Sequence, residues 1–284
     1  MAAISLFNDV IGPVMRGPSS SHTAAPVQIG TLARALLGDE PAAATFVFDA
    51  GGSFAEVYRQ QGSDLGLAAG LLGWRMEDER FPQALEWAAA HGLDIRFAVE
   101  PLPQANHPNT LAMQLVSRGG RMLRATAQSI GGGAFVFTEL EGWPVRLTGD
   151  AYEVIAEVEP EAEAAVCDLL VRDGPRRRTR RDKQVASATC LERQGPGPAE
   201  RALGLALVHA RRLAPLDAAA QLALEALPGL RRLWTAPPVF YPQRGRPLFD
   251  SAAAMVEYAE ARGGSLGRAA LATRRPCLAC RRPR

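Results

Sequence analysis

Apolar residues recur at helical spacing from Ala24 to Leu37, directly behind the polar loop Ser19 to Thr23. Thr45-Phe46-Val47-Phe48 reads as a short buried strand, followed by glycines and a helical segment near Phe54 to Gln60. Asp64 to Leu72 is apolar and helical and stops at Gly73, a natural position for a left-handed cap. Pro82 to Ala90 predicts another helix, with Trp87 on its apolar face and His91-Gly92 closing it. The period then falls to two. Leu93 to Val99, Leu111 to Val116, Met122 to Ala127, Ala134 to Leu140 and Val145 to Leu147 read as strands. Helices followed by hairpin-linked strands predict an α+β domain over residues 1–150, a mixed or antiparallel sheet covered by helices.

The pattern changes near Ala151. Glu153 to Glu163 is acidic and Arg172 to Lys183 basic, which reads as a solvated helix face and a linker. Gly195-Pro196-Gly197-Pro198 breaks the chain before alanine-rich segments at Ala199 to Leu213 and Ala218 to Leu227, both expected to be helices. Trp234-Thr235-Ala236-Pro237-Pro238 is extended. Residues 151–246 are therefore expected to form a helical, linker-like region. Residues 247–272 form a further piece, with Ser251 as a helix cap, helices at Ala252 to Arg262 and Leu266 to Ala272, and Gly263-Gly264 between them. Residues 273–284, rich in Arg, Pro and Cys, lose all periodicity and read as an unstructured, out-of-frame tail.

Composition narrows the chemistry. At 284 residues and 47% hydrophobic, the chain can bury a sizeable core. A net charge of +2 does not point to nucleic acid. Lys183 is the only lysine and lies beside the run Arg176 to Arg181, which argues against a buried pyridoxal Schiff base. No apolar run reaches the roughly 20 residues that span a bilayer, and Met1 to Asn8 lacks the features of a secretory signal. The four cysteines, Cys167, Cys190, Cys277 and Cys280, are too scattered for a disulfide framework. A cytoplasmic, reduced protein is expected. Cys277 and Cys280 form a C-x-x-C pair, but two thiols at an arginine-rich terminus make a weak metal site.

The loop Gly17-Pro18-Ser19-Ser20-Ser21-His22-Thr23 carries the strongest chemical signal. Hydroxyls before a helix N-terminus, with its free N–H groups and positive dipole end, suit a carboxylate or phosphate. His22 adds a group that moves protons near neutral pH. The plainer reading is a serine-rich helix cap with a solvated histidine. His107-Pro108-Asn109-Thr110 and Ser129-Ile130-Gly131-Gly132-Gly133 follow farther along. Pro108 restrains His107 to an extended backbone, and the glycines permit a close backbone approach or a plain turn.

With Ile11-Gly12-Pro13 and Gly52-Ser53-Phe54-Ala55-Glu56, these segments resemble the beta subunit of iron–sulfur-dependent L-serine dehydratase (L-serine ammonia-lyase) over about residues 3–149. The resemblance implies conversion of L-serine to pyruvate and ammonia at a [4Fe–4S] cluster whose cysteine ligands lie in an alpha domain. It also implies pairing with that alpha subunit or domain in a homo- or heterodimer, with no nucleic-acid or membrane partner. By the same resemblance, His22 and His107 are the catalytic candidates. Ser19, Ser20, Ser21, Thr23, Asn109, Ser129 and Gly131 are the substrate-binding candidates, and this chain supplies no metal ligands. Residues 247–272 would be the start of a truncated alpha domain. Members with a small regulatory module after the first domain have alternating strands and helices there; residues 151–240 show no clear match. One departure stands out: Gln61 occupies the place of a histidine that is a candidate base in the family, and an amide takes no proton at neutral pH. Two other readings stay open, a non-catalytic module that binds L-serine or another anion and an inactive remnant.

Overall fold

The computed structural model describes residues 16–172, 189–194, 204–239 and 252–273. Ile11-Gly12-Pro13, the arginine run with Lys183, Ser251, and the tail with Cys277 and Cys280 lie outside the described residues.

A tight turn over Ser20–Ala24 runs directly into α1 (Ala25–Leu37). Pro26 sits in the first turn, where its missing N–H costs nothing, and Gly38 ends the helix in the left-handed region at φ 68°. Strand β1 (Pro41–Asp49) follows, then α2 (Ser53–Val57), α3 (Ser63–Leu71) and α4 (Ala84–Ala90). Strands β2 (Asp94–Glu100), β3 (Thr110–Ser117), β4 (Met122–Gly131), β5 (Ala134–Leu140) and β6 (Trp143–Leu147) complete a six-stranded sheet in the order β2-β1-β3-β4-β5-β6. Only β1 and β2 pair in parallel, because three helices intervene between them, and the remaining pairs are antiparallel. The domain is thus α+β with a mixed sheet, as the periodicity predicts. Phe46 and Phe48 of β1, Phe135 and Phe137 of β5, and Ile29, Leu32 and Leu36 of α1 are fully buried in one core.

Helices α1 and α3 press together through glycines. A Cβ at Gly30 would stand 2.6 Å from the Leu67 carbonyl, and one at Gly70 would stand 2.3 Å from that of Val27. Such distances leave no room for a side chain, so the helix backbones themselves touch. Gly66 continues the seam: its Cβ would lie 2.7 Å from the Thr23 carbonyl. The start of α3 is thereby held against the polar loop.

The region after residue 150 departs from expectation. Strands β7 (Tyr152–Val158), β8 (Thr189–Gln194), β9 (Ala206–Arg212) and β10 (Leu230–Ala236) form a second sheet in the order β10-β7-β9-β8, every pair antiparallel. With helices α5 (Pro160–Arg172) and α6 (Ala218–Glu225), the order among the described residues is β-α-β-β-α-β. Within the predicted helix Ala199 to Leu213, Ala206–Arg212 is a strand. Its alanines fill a tightly covered sheet, where Ala210 is fully buried, instead of building a helix face. The acidic run is not a solvated helix face either. Glu153 and Glu157 are 1% and 3% exposed on β7, and only Glu161 and Glu163 fall in the first turn of α5, where negative charge suits the dipole.

One face of this second sheet, with Val154, Ala156, Val158, Val208 and Ala210, packs on Val166, Leu170 and Leu224 of its helices. From the other face, Ile155, Leu207, Trp234 and Ala236 join the core of the first domain. A separate unit contains α7 (Ala252–Glu260) and α8 (Leu266–Thr273), a helical hairpin closed over Ala259 and Ala269 with Gly263 at φ 57° in its turn. Among the described residues, no helix is long and apolar enough to cross a membrane.

Candidate functional site

The polar loop takes its shape from its own side chains. Ser19 caps the turn, its Oγ accepting the His22 N–H at 3.1 Å. Thr23, 1% exposed, donates its hydroxyl proton to the Gln61 carbonyl at 2.6 Å and accepts the Ser19 N–H at 3.3 Å. Its only proton therefore holds the loop to the chain before α3. Ser63, the first residue of α3, donates to the His22 carbonyl at 2.6 Å. These ties and the Gly66 contact fix the backbone at His22 from two sides.

The His22 ring lies between two sets of hydroxyls. Its Nδ1 is 2.9 Å from Ser21 Oγ and 3.3 Å from Ser19 Oγ, and its Nε2 is 3.1 Å from Ser53 Oγ. Fully buried Phe54 meets the ring edge-on, with centroids 5.1 Å apart. Burial lowers the His22 pKa below its ordinary 6.5, so the ring is neutral at pH 7.

Ser53 links the loop to the second motif. Its hydroxyl donates to Asn109 Oδ1, while Asn109 Nδ2 points to the Ser129 carbonyl at 3.4 Å. The Asn109 amide N–H donates to His107 Nδ1 at 3.1 Å, and Thr110 Oγ1 donates to the His107 carbonyl at 2.7 Å. A backbone approach brings the two motifs together: the Ser53 N–H donates to the Pro108 carbonyl at 2.8 Å, and a Cβ on Gly52 would stand 2.3 Å from that oxygen. His22, Ser53, Asn109 and His107 thus form one continuous hydrogen-bonded string.

The other expected residues fall into two groups. Ser129 is fully buried beside the string, its N–H donating to the Asn109 carbonyl at 3.1 Å, and its hydroxyl has no partner among the described residues. Ser20 lies in the first turn, its carbonyl accepting the Ala25 N–H. Gly131 stands apart in the exposed β4–β5 turn at φ 95°, where an added Cβ would meet nothing within 4 Å. Ser53 and Ser63 were not singled out from the sequence as site residues. The Ser-x-x-Glu spacing of Ser53 and Glu56 imitates a helix cap, yet the cap position belongs to Gly52, which frees the Ser53 hydroxyl to reach His22 and Asn109. Gln61 meets the loop through its backbone carbonyl, which accepts the Thr23 hydroxyl proton.

Asp64, at the start of α3, is nearly buried, and desolvation raises its pKa. A second polar cluster lies between β7 and β9: buried His209 Nε2 contacts Glu153 Oε2 at 2.7 Å. Among the described residues, no three His, Cys, Asp or Glu side chains come together in a way that could hold a metal ion. A four-iron cluster needs several thiolate ligands, and Cys167 on α5 is far from supplying such a set, so these residues do not fit that cofactor.

The string thus gathers neutral hydroxyls, an amide and two imidazoles, groups whose chemistry suits hydrogen bonding to a small polar molecule. No family model matches the chain. It is 46% identical over 142 residues, 50% of its length, to the probable L-serine dehydratase beta chain of Bacillus subtilis (strain 168), and spans 63% of that protein. It is 30% identical over 158 residues, 56% of its length, to the L-serine dehydratase beta chain of Peptoniphilus asaccharolyticus, and spans 70% of that one. The chain belongs to the L-serine dehydratase beta-chain family.

Proposed function

We propose that this chain is the beta portion of an L-serine ammonia-lyase, holding the amino acid while an alpha partner supplies the [4Fe–4S] cluster. The observation that carries the proposal is the string from His22 through Ser53 and Asn109 to His107, in a chain whose relatives are serine dehydratase beta chains. Loss of the β-hydroxyl from serine needs help for a poor leaving group, and a cluster held by the alpha partner would supply the Lewis acid for it. The residues of this chain do the remainder. Ser19, Ser20 and Ser21 offer hydroxyls to the carboxylate and amine, and Asn109 and Ser129 bound the opposite side. His22, neutral at pH 7, takes or passes a proton, and His107 donates from Nε2 because its Nδ1 already accepts the Asn109 N–H. Gln61 cannot serve as a base, so His22 carries more of the proton transfer here than a chain with histidine at that place requires.

The test is to combine the chain with an alpha partner under anaerobic conditions with iron and sulfide, then measure pyruvate from L-serine. The pair should be active, and the chain alone should give neither cluster absorbance nor pyruvate. A cluster assembled on this chain alone would contradict the proposal. Gln61 favours a second reading, in which the chain binds L-serine or another small anion without turning it over. Calorimetric binding together with an inactive reconstituted pair would select that reading.

A further inference from the structure

The string of hydrogen bonds has a direction, and it can be read from Asn109. The side-chain amide of Asn109 lies between the Ser129 carbonyl and the Ser53 hydroxyl. A carbonyl can only accept, so Nδ2 must face Ser129 and Oδ1 must face Ser53. The single proton of Ser53 then goes to Oδ1. What remains on Ser53 Oγ toward His22 Nε2, 3.1 Å away, is lone pairs. Nε2 must therefore carry a hydrogen. In a neutral ring this leaves Nδ1 bare, facing Ser21 Oγ at 2.9 Å and Ser19 Oγ at 3.3 Å.

We propose that Ser53 is a positioning residue that locks His22 in the Nε2–H tautomer and so aims the basic nitrogen of the ring at the Ser19 and Ser21 hydroxyls. A proton reaching His22 arrives through those hydroxyls, and Ser53 never touches the ligand. The lock is built from the backbone outward. Gly52 lets the chain approach Pro108, the Ser53 N–H bonds its carbonyl, and Asn109 is thereby presented to the Ser53 hydroxyl. The tautomer follows from the hydrogen bonds alone. Its use in proton transfer rests on the function proposed above.

Long-range proton–nitrogen NMR of the 15N-labelled chain, at a pH well above the ring's titration, tests the lock without any substrate. The four histidines are separated by assigning His22 through its loss in His22→Gln. The wild-type ring should show a protonated Nε2 and a bare Nδ1, with widely separated nitrogen resonances. Ser53→Ala keeps the backbone bond to Pro108 and should bring the two resonances together as the tautomers mix, while Ser53→Thr should restore the separation. Asn109→Ala frees the Ser53 proton for Nε2 and should move the hydrogen to Nδ1. A wild-type ring protonated at Nδ1, or a ring unmoved by both Ser53→Ala and Asn109→Ala, would overturn the proposal. An inactive reconstituted enzyme with the expected tautomer would count against the function alone.

Discussion

Two polar clusters lie within the same unit of this chain, and they are built in opposite ways. Around His22 the partners are uncharged hydroxyls, an amide and backbone groups, and the ring is only partly buried. Between the sheets the partners are carboxylates and guanidiniums with one buried imidazole. His209 and Glu153 are fully buried side by side, Arg211 bonds Asp150, and Arg232 bonds both Glu157 and Glu141 while Trp143 Nε1 donates to Glu157 at 2.8 Å. A charged, buried cluster is rigid, because losing one partner leaves an uncompensated ion. A neutral, half-open cluster can exchange one partner for a ligand at little cost. The first arrangement fastens the second sheet to the first domain, and the second leaves room for chemistry.

The comparison predicts a wide separation of effects. The largest belongs to activity: His22→Ala in the reconstituted enzyme should lower turnover about 100- to 10,000-fold. Its thermal unfolding should change by only about 1 kcal/mol, the worth of a hydrogen bond. In the other cluster, Glu157→Ala should cost about 3 kcal/mol or more in urea unfolding, because it takes the acceptor from the buried Trp143 indole N–H and a carboxylate from Arg232. A comparable stability loss from His22→Ala would erase the distinction.

Gly70→Ala is a smaller but more instructive change. The added methyl would meet the Val27 carbonyl, so α1 and α3 must part, at about 1–3 kcal/mol. Because Ser63 and Gly66 of α3 hold the His22 loop, serine binding should weaken along with stability, measured by calorimetry and urea unfolding on one sample. Trp143→Phe, which removes the indole N–H from Glu157, should cost about 1–2 kcal/mol and leave binding at His22 unchanged.

The smallest effect is a titration. Burial depresses the His22 pKa, so the unfolded chain binds that proton more readily. This site's contribution to stability is complete above the ordinary value of 6.5 and is lost as pH falls below it through the folded midpoint. The His22 ring resonance should titrate below pH 6.5 and recover toward it in Phe54→Ala, which opens the ring to water.

The sequence disclosed the first domain better than the second for a physical reason. Between Ala24 and Leu147 the strands alternate and the longer helices stop at glycines, so period and punctuation agree; Gly38, Gly73 and Gly92 all adopt positive φ just after a helix. In the second sheet, both faces of β7 and β9 are covered, one by helices and the other by the first domain. Alternation then disappears, and buried Glu153, Glu157 and His209 look like surface residues until their partners on other strands are known. The site was partly legible. Helix caps and a proline marked Ser19, His22 and His107, but the bridge through Ser53 depends on Gly52 meeting Pro108, a contact between segments more than fifty residues apart that no local pattern encodes.

Amide and imidazole NMR of the 15N-labelled chain titrated with L-serine tests the central claim most directly. The account predicts that the largest shifts fall together on Ser21, His22, Ser53, Asn109 and His107, with the Glu153–His209 region unmoved. Saturable shifts confined to the second sheet, with the His22 string silent, would contradict it.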